Sequence, residues 1–174
     1  EVFATVGSEE KIGIARELGA DHVINYATQD FEKIVLEKTG GYGVDVVMDS
    51  VGGSVFRKSW RLLAPMGRYV LYGFASVTGK RTLSRLRAVK EALKMPLIYP
   101  PGIVSKNVAL FGFNLYFLTQ KVQYFQKVWS TLLHRYEQGT LRPVIGAVYP
   151  FDQIVEAQSF LQSRKSIGKV VAVL

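Results

Sequence analysis

The chain has 174 residues, of which 48% are hydrophobic and 21% charged, with 16 glycines, 6 prolines and no cysteine. This composition excludes a disordered chain, a disulfide scaffold, a cysteine-ligated zinc site and a thiol nucleophile. With 22 basic and 14 acidic residues the formal net charge is +8, and much of the excess sits in one segment. Between Lys80 and Lys94, Lys80, Arg81, Arg85, Arg87, Lys90 and Lys94 face Glu91 alone. His22 and His134 are too few and too far apart in sequence to suggest a metal cluster. The longest apolar stretch, Val108 to Leu118, is about half of the ~20 residues a membrane span needs, and Asn114 interrupts it.

In chain order, β-rich apolar runs alternate with amphipathic stretches. Val2–Val6 reads as a strand, and Glu9–Leu18 as a helix closed by Gly19. Val23–Tyr26 is a short strand, and Thr28 is placed to cap a helix over Gln29–Lys38 that ends at Gly40-Gly41. Val44–Met48, apolar except for Asp45, has the pattern of a parallel strand covered on both faces. Val55–Leu63 reads as a helix, and Arg68–Tyr72 and Val108–Phe113 as strands. Gln120–Gln138 carries Val122, Phe125, Val128, Trp129, Leu132, Leu133 and Tyr136 at helical spacing, with Gly139 closing it. Beyond Pro143 come a strand over Val144–Val148, a helix over Asp152–Gln162 capped by Asp152, and a strand over Lys169–Val173. The alternation predicts an α/β fold with a doubly wound parallel sheet over residues 1–138, followed by a segment, 139–174, belonging to another domain.

Ligands of such sheets bind outside the carboxyl ends of the strands. After the first strand, Ser8 is placed to cap the helix, and Glu9 and Glu10 suit the positive end of its dipole. Lys11 opposes that dipole, by about 0.3–1 kcal/mol, so it reads either as an ordinary surface lysine or as half of a dianion site with Ser8. A dinucleotide sheet selective for NAD would place a carboxylate here for the ribose 2′-hydroxyl. Gly7-Ser8 offers none before Glu9, so NADPH is favoured over NADH if the site binds a dinucleotide. Gly52 and Gly73 end strands, where a missing Cβ lets backbone approach a ligand or simply makes the turn. Asp45 and Asp49 lie four residues apart on one strand, and no general acid emerges from them.

Four stretches taken together resemble the medium-chain dehydrogenase/reductase family. They are Thr5-Val6-Gly7-Ser8-Glu9-Glu10-Lys11, Leu18-Gly19-Ala20-Asp21-His22-Val23-Ile24-Asn25-Tyr26, Gly43 through Gly53, and Gly67-Arg68-Tyr69-Val70-Leu71-Tyr72-Gly73-Phe74-Ala75. Within the family they resemble the zinc-independent quinone oxidoreductase (ζ-crystallin-like) branch. The basic segment, Gly112-Phe113-Asn114-Leu115 and Ile167-Gly168-Lys169-Val170-Val171 resemble its synaptic-vesicle amine-transport-protein homologue group. The resemblance implies an NADP cofactor and no zinc, with Ser8, Lys11 and Tyr26 around the 2′-phosphate. It places Ser50, Val51 and Gly52, then Gly73, Phe74 and Ala75, close to the cofactor, and Phe113 and Asn114 near the nicotinamide. It implies hydride transfer to a quinone or an activated alkene or carbonyl, a cytoplasmic protein, and a homodimer formed through edge strand 108–113.

The family's first strand and glycine-rich phosphate loop precede the point where this sequence starts, as does most of its catalytic domain. The expectation is therefore weak or no NADPH binding by this chain alone, with the open strand edges closed by rearrangement, strand exchange or a second copy. Two other readings stand beside the reductase. One is a binding module that uses the basic amphipathic segment 80–94 for an anionic membrane or RNA; the other is an inactive domain fragment.

Overall fold

The computed structural model describes residues 1–74, 93–118, 120–163 and 165–174. The basic segment thus lies outside the described residues except for Leu93 and Lys94, and so does Ala75. The chain divides into two compact units, Glu1–Asn114 and Leu115–Leu174.

In the first unit, β1 (Phe3–Val6) and β2 (His22–Asn25) pair in parallel around α1 (Glu10–Glu17), with Phe3 opposite His22 and Val6 opposite Asn25. α2 (Phe31–Lys38) follows, then β3 (Val44–Asp49), α3 (Gly53–Arg61), β4 (Leu63–Leu71), α4 (Pro100–Lys106) and β5 (Ala109–Gly112). β3, β4 and β5 form a second, three-stranded parallel sheet in that order. In the second unit, a 3₁₀ turn (Leu115–Leu118) and α5 (Val122–Glu137) precede β6 (Ile145–Pro150). α6 (Ile154–Gln162) then leads to β7 (Lys169–Val173), which pairs in parallel with β6. The parallel α/β architecture is as expected, but it is divided among three separate sheets.

Several local expectations are corrected. The cap of α2 is Asp30, not Thr28: its carboxylate accepts from Glu32 N at 3.1 Å, while Thr28 bonds the end of β2. Ser8 does not cap α1, which begins from Glu9 with no side-chain cap. Asp152 lies within a 3₁₀ turn, Phe151–Gln153, and does not cap α6. β4 starts at Leu63, before the expected Arg68, because Leu63 pairs with Val44 ahead of an irregularity at Pro65-Met66-Gly67. Met66 there takes a φ of +66° and donates its amide to Asn107 O at 2.6 Å. α4 is not among the expected helices. Its prolines occupy the first helical turn, where no amide partner is needed, and Asn107 ends it in the left-handed region.

Two buried clusters hold the first unit. Ile24, Phe31, Val35 and Leu62 pack with Phe3, Val44 and Val55, so α2 and α3 share a core. Phe56, Leu63 and Tyr69 form the other, with Trp60 stacked against Phe56 at 5.9 Å between ring centroids. On the surface Arg61 grips both Glu32 oxygens, at 2.6 and 2.7 Å, and Lys58 reaches Asp30 at 2.8 Å.

Gly43 enters β3 at φ +87°, and a Cβ there would stand 2.1 Å from Leu62 O. We expect Gly43→Ala to destabilise the chain by at least about 2 kcal/mol, from strain and backbone collision together. Gly13, mid-helix in α1, has nothing within 4 Å of an added Cβ, and Gly13→Ala is expected to stabilise by about 0.5–1 kcal/mol. Urea-denaturation midpoints of the two variants should move in opposite directions.

Candidate functional site

The carboxyl ends of β1, β2 and β3 open on a cavity of about 480 Å³ lined there by Gly7, Lys11, Tyr26, Asp49, Ser50 and Val51. Lys11, in the first turn of α1, is one of the lining residues. Tyr26, just past β2, lies against Gly7 after β1: its hydroxyl would be 2.7 Å from a Cβ there, so a larger residue at position 7 would displace the tyrosine side chain. Glu9 is not among the lining residues. Its carboxylate accepts from Asn25 Nδ2 at 2.6 Å, which ties the amino end of α1 to the end of β2.

The turn after β3 is built on a buried carboxylate. Asp49 is 3% exposed, and its Oδ1 accepts from the amides of Val51 at 2.7 Å and Gly52 at 3.1 Å. Its Oδ2 accepts from the Tyr69 hydroxyl at 2.7 Å. Gly52 then takes φ +71° and ψ −160°, a conformation closed to side-chain-bearing residues, and α3 begins. Burial first, and the Asp49 carboxylate second, push the Tyr69 phenol far above its ordinary value, with the Ser59 hydroxyl partly opposing. The Asp49 carbonyl accepts from Tyr72 N at 2.9 Å, and a Cβ on Gly73 would meet Ser50 O at 2.8 Å. The ends of β3 and β4 are thereby locked to each other.

Lys11, Tyr26, Ser50 and Val51 therefore come together on one cavity. Gly52 is buried beneath its rim, and Gly73 packs on Ser50. Ser8 is not among the lining residues; its carbonyl accepts from Lys11 N at 3.2 Å. Phe74 follows β4 and is half exposed, while Phe113, just past β5, donates its amide to Leu71 O at 2.9 Å, with Asn114 next in the chain. The sequence offers Asp49 only as a rejected general acid and does not single out Tyr69; the structure gives both a structural role in this turn. A carboxylate ending an apolar strand three residues before a glycine was the available signal.

The match to known proteins decides the family. A model described as zinc-binding dehydrogenase covers residues 18–172. The chain belongs to that family. The synaptic vesicle membrane protein VAT-1 homolog of Rattus norvegicus is 34% identical over 172 residues, covering 99% of this chain and 42% of the relative. A Pseudomonas syringae quinone oxidoreductase structure is 27% identical with a TM-score of 0.76, covering 100% of this chain and 49% of that one. A mycobacterial protein solved in complex with NADPH is 28% identical with a TM-score of 0.78, covering 100% and 50%. The chain spans less than half the length of the VAT-1 homolog and about half of the two solved chains, and it matches the C-terminal part of its relatives.

The described residues of this zinc-binding dehydrogenase segment offer no zinc donor set. No three His, Asp or Glu side chains converge among them, and the sequence has no cysteine. His22 Nε2 lies 2.6 Å from Glu1 Oε1, and His134 Nε2 lies 2.9 Å from Gln138 Nε2. Nor is any helix of the described residues long and apolar enough to cross a membrane.

The Tyr69 phenol favours the folded state only while protonated. Because folding raises its pKa, its contribution is complete below the unfolded-state value near 10 and is lost as pH rises above it. We expect stability to fall above about pH 10 at up to ~1.4 kcal/mol per pH unit from this group. Tyr69→Phe should flatten that slope and cost about 1–3 kcal/mol at pH 7, by leaving a buried carboxylate oxygen with only the Gly52 amide at 3.2 Å. Thermal unfolding across pH 7–11.5 measures both.

Proposed function

We propose that this chain is the cofactor-binding portion of an NADPH-dependent oxidoreductase that passes hydride to a quinone or an activated alkene or carbonyl. The observation that carries the reading is the convergence of Lys11 and Tyr26 with the Ser50-Val51 turn on one cavity at the carboxyl ends of three parallel strands. That is where open α/β sheets take their ligands. NADPH, when bound, supplies the hydride.

The residues fit such a cofactor. Lys11 is among the lining residues, and the carboxylate of Glu9, the residue before α1, is held by Asn25. Asp49, the one carboxylate among the cavity's lining residues, already accepts hydrogen bonds from Val51, Gly52 and Tyr69. In this reading Lys11, with Ser8 and Tyr26, receives the 2′-phosphate. The Ser50–Gly52 turn and the Gly73-Phe74-Ala75 stretch border the cofactor, and Phe113 and Asn114 lie toward the nicotinamide. The chain's own contribution is binding, orientation and exclusion of water, and no zinc step is included. Family resemblance supports a homodimer through edge strand 108–113, whose residues Ala109–Gly112 are all exposed, and a cytoplasmic site. The sequence matched by this chain is about half of the solved relatives, so activity is a property of the longer polypeptide and the segment alone is inactive.

Fluorescence titration with NADPH and NADH tests this on the 174-residue chain and on a form extended upstream as in the relatives. The extended form is expected to prefer NADPH, and Lys11→Ala to weaken NADPH by at least tenfold, about 1.4 kcal/mol, with NADH unchanged. Equal losses for both nucleotides, or none for either, would overturn the assignment of Lys11.

A further inference from the structure

A cavity of about 210 Å³ lies beside β2 and shares no lining residue with the larger one at the strand ends. Arg16, Val23, Gln29, Ile34 and Lys38 are among its walls. Successive residues of a strand turn their main-chain groups to opposite edges. His22 N and Tyr26 N donate to Val2 O and Val6 O, so Val23 and Asn25 turn theirs to the outer edge of β2. Asn25 closes its own: its N–H donates to Gln29 Oε1 at 3.0 Å, and its carbonyl accepts from Gln29 N at 2.9 Å. Val23 is left over. Among the described strands β2 bonds only β1, so the outward N–H and C=O of Val23 have no strand partner.

Two cations share this cavity with Val23. Arg16 comes from the last turn of α1 and Lys38 from the last turn of α2. Helix dipoles favour a cation at each of those places, but they do not account for the convergence of both on one cavity. Neither side chain has an ion pair or hydrogen bond with a described residue. The nearby acids are engaged: Asp21 Oδ2 accepts from Val2 N at 2.7 Å, and Glu1 Oε1 lies 2.6 Å from His22 Nε2. Gln29 spends its side-chain oxygen on Asn25, so its amide nitrogen is the end left to donate.

A main-chain donor and acceptor on one residue, in a cavity with two cations, suit an extended peptide that carries acidic side chains. They suit an isolated phosphate less well, because the Val23 carbonyl would face it. We infer that the outer edge of β2 docks an extended acidic segment of a partner protein. The segment pairs through its main chain with Val23 and sets its carboxylates on Arg16 and Lys38, and Ile34 offers an apolar contact beside them. A second copy of this chain is the poorer occupant. Its acids stand within two positions of each other only at Glu9-Glu10 and at Asp30 and Glu32. Glu9 is held by Asn25 and Glu10 belongs to α1, while Asp30 and Glu32 are held by Lys58 and Arg61. The inference does not depend on the nucleotide reading.

The test is fluorescence anisotropy with a labelled peptide, one valine between two runs of three glutamates. It is run on the 174-residue chain and on the form extended upstream. One peptide is expected to bind per chain, with no competition from NADPH, and hydrogen exchange at the Val23 amide should slow on binding. Arg16→Ala combined with Lys38→Ala should weaken the peptide by at least about tenfold. Both residues are exposed, so the circular dichroism spectrum and thermal midpoint of the double variant should stay in place. Methylating the three central amides of the peptide keeps every charge and should weaken it about fivefold, by removing the donors to Val23 O. The inference is overturned if neither form of the chain binds the peptide, if the double variant binds as the parent does, or if NADPH displaces the peptide. It also fails if methylation changes nothing or a lysine peptide of the same design binds equally well, since charge or stickiness alone would then explain binding. Displacement by inorganic phosphate at matched ionic strength would mark a simple anion site instead. Self-association of the chain that the double variant abolishes would mark an interface between copies.

Discussion

Main-chain hydrogen bonding is the constraint on which the first unit turns. A parallel strand buried in an α/β fold satisfies its N–H and C=O groups on both edges, and an edge left without a partner is costly wherever water is excluded. Among the described strands β1 bonds only β2 and β3 only β4, and residues of both line one cavity. Helix packing, not strand pairing, joins the two sheets. Phe31 and Val35 from α2 meet Leu62 beside α3, and two ion pairs run between the same helices.

The carboxyl ends of the strands depend on a smaller device. A carboxylate at 3% exposure is tolerable only when its oxygens are saturated, and Asp49 is met by two turn amides and a phenol. Those bonds shape the Ser50–Gly52 turn, and the Asp49 carbonyl and Ser50 backbone fasten the end of β4 to it. The rim is therefore rigid on the β3 side. On the other side it is made by longer side chains, Lys11 and Tyr26, arriving from a helix and a loop. A fixed backbone turn opposite a cation is an arrangement suited to a long, phosphorylated ligand.

Much of this was legible before any coordinates. The strand at Lys169–Val173 has the predicted bounds, and the remaining strands and helices mostly fall within a few residues, because alternation and glycine punctuation are local signals. The misplacements share one cause. Thr28, Ser8 and Asp152 are chemically competent caps that lost to geometry: Asp30 stands closer to the start of α2, and α1 and α6 start one residue later, from Glu9 and Gln153, with no side-chain cap. α4 was missed because two prolines look like a break unless they stand at a helix's first turn.

What the sequence determined by itself was the order of parallel strands and helices, and the kinship written in its glycine-flanked strand ends, since both are properties of consecutive residues. Only the tertiary structure decided that the strands divide among three sheets, that Asp49 and Tyr69 meet across 20 positions, and that Lys11 and Tyr26 share a cavity with Ser50. Those facts depend on which segments end up side by side, and side-chain packing between distant helices, unlike periodicity along one strand, leaves no local trace.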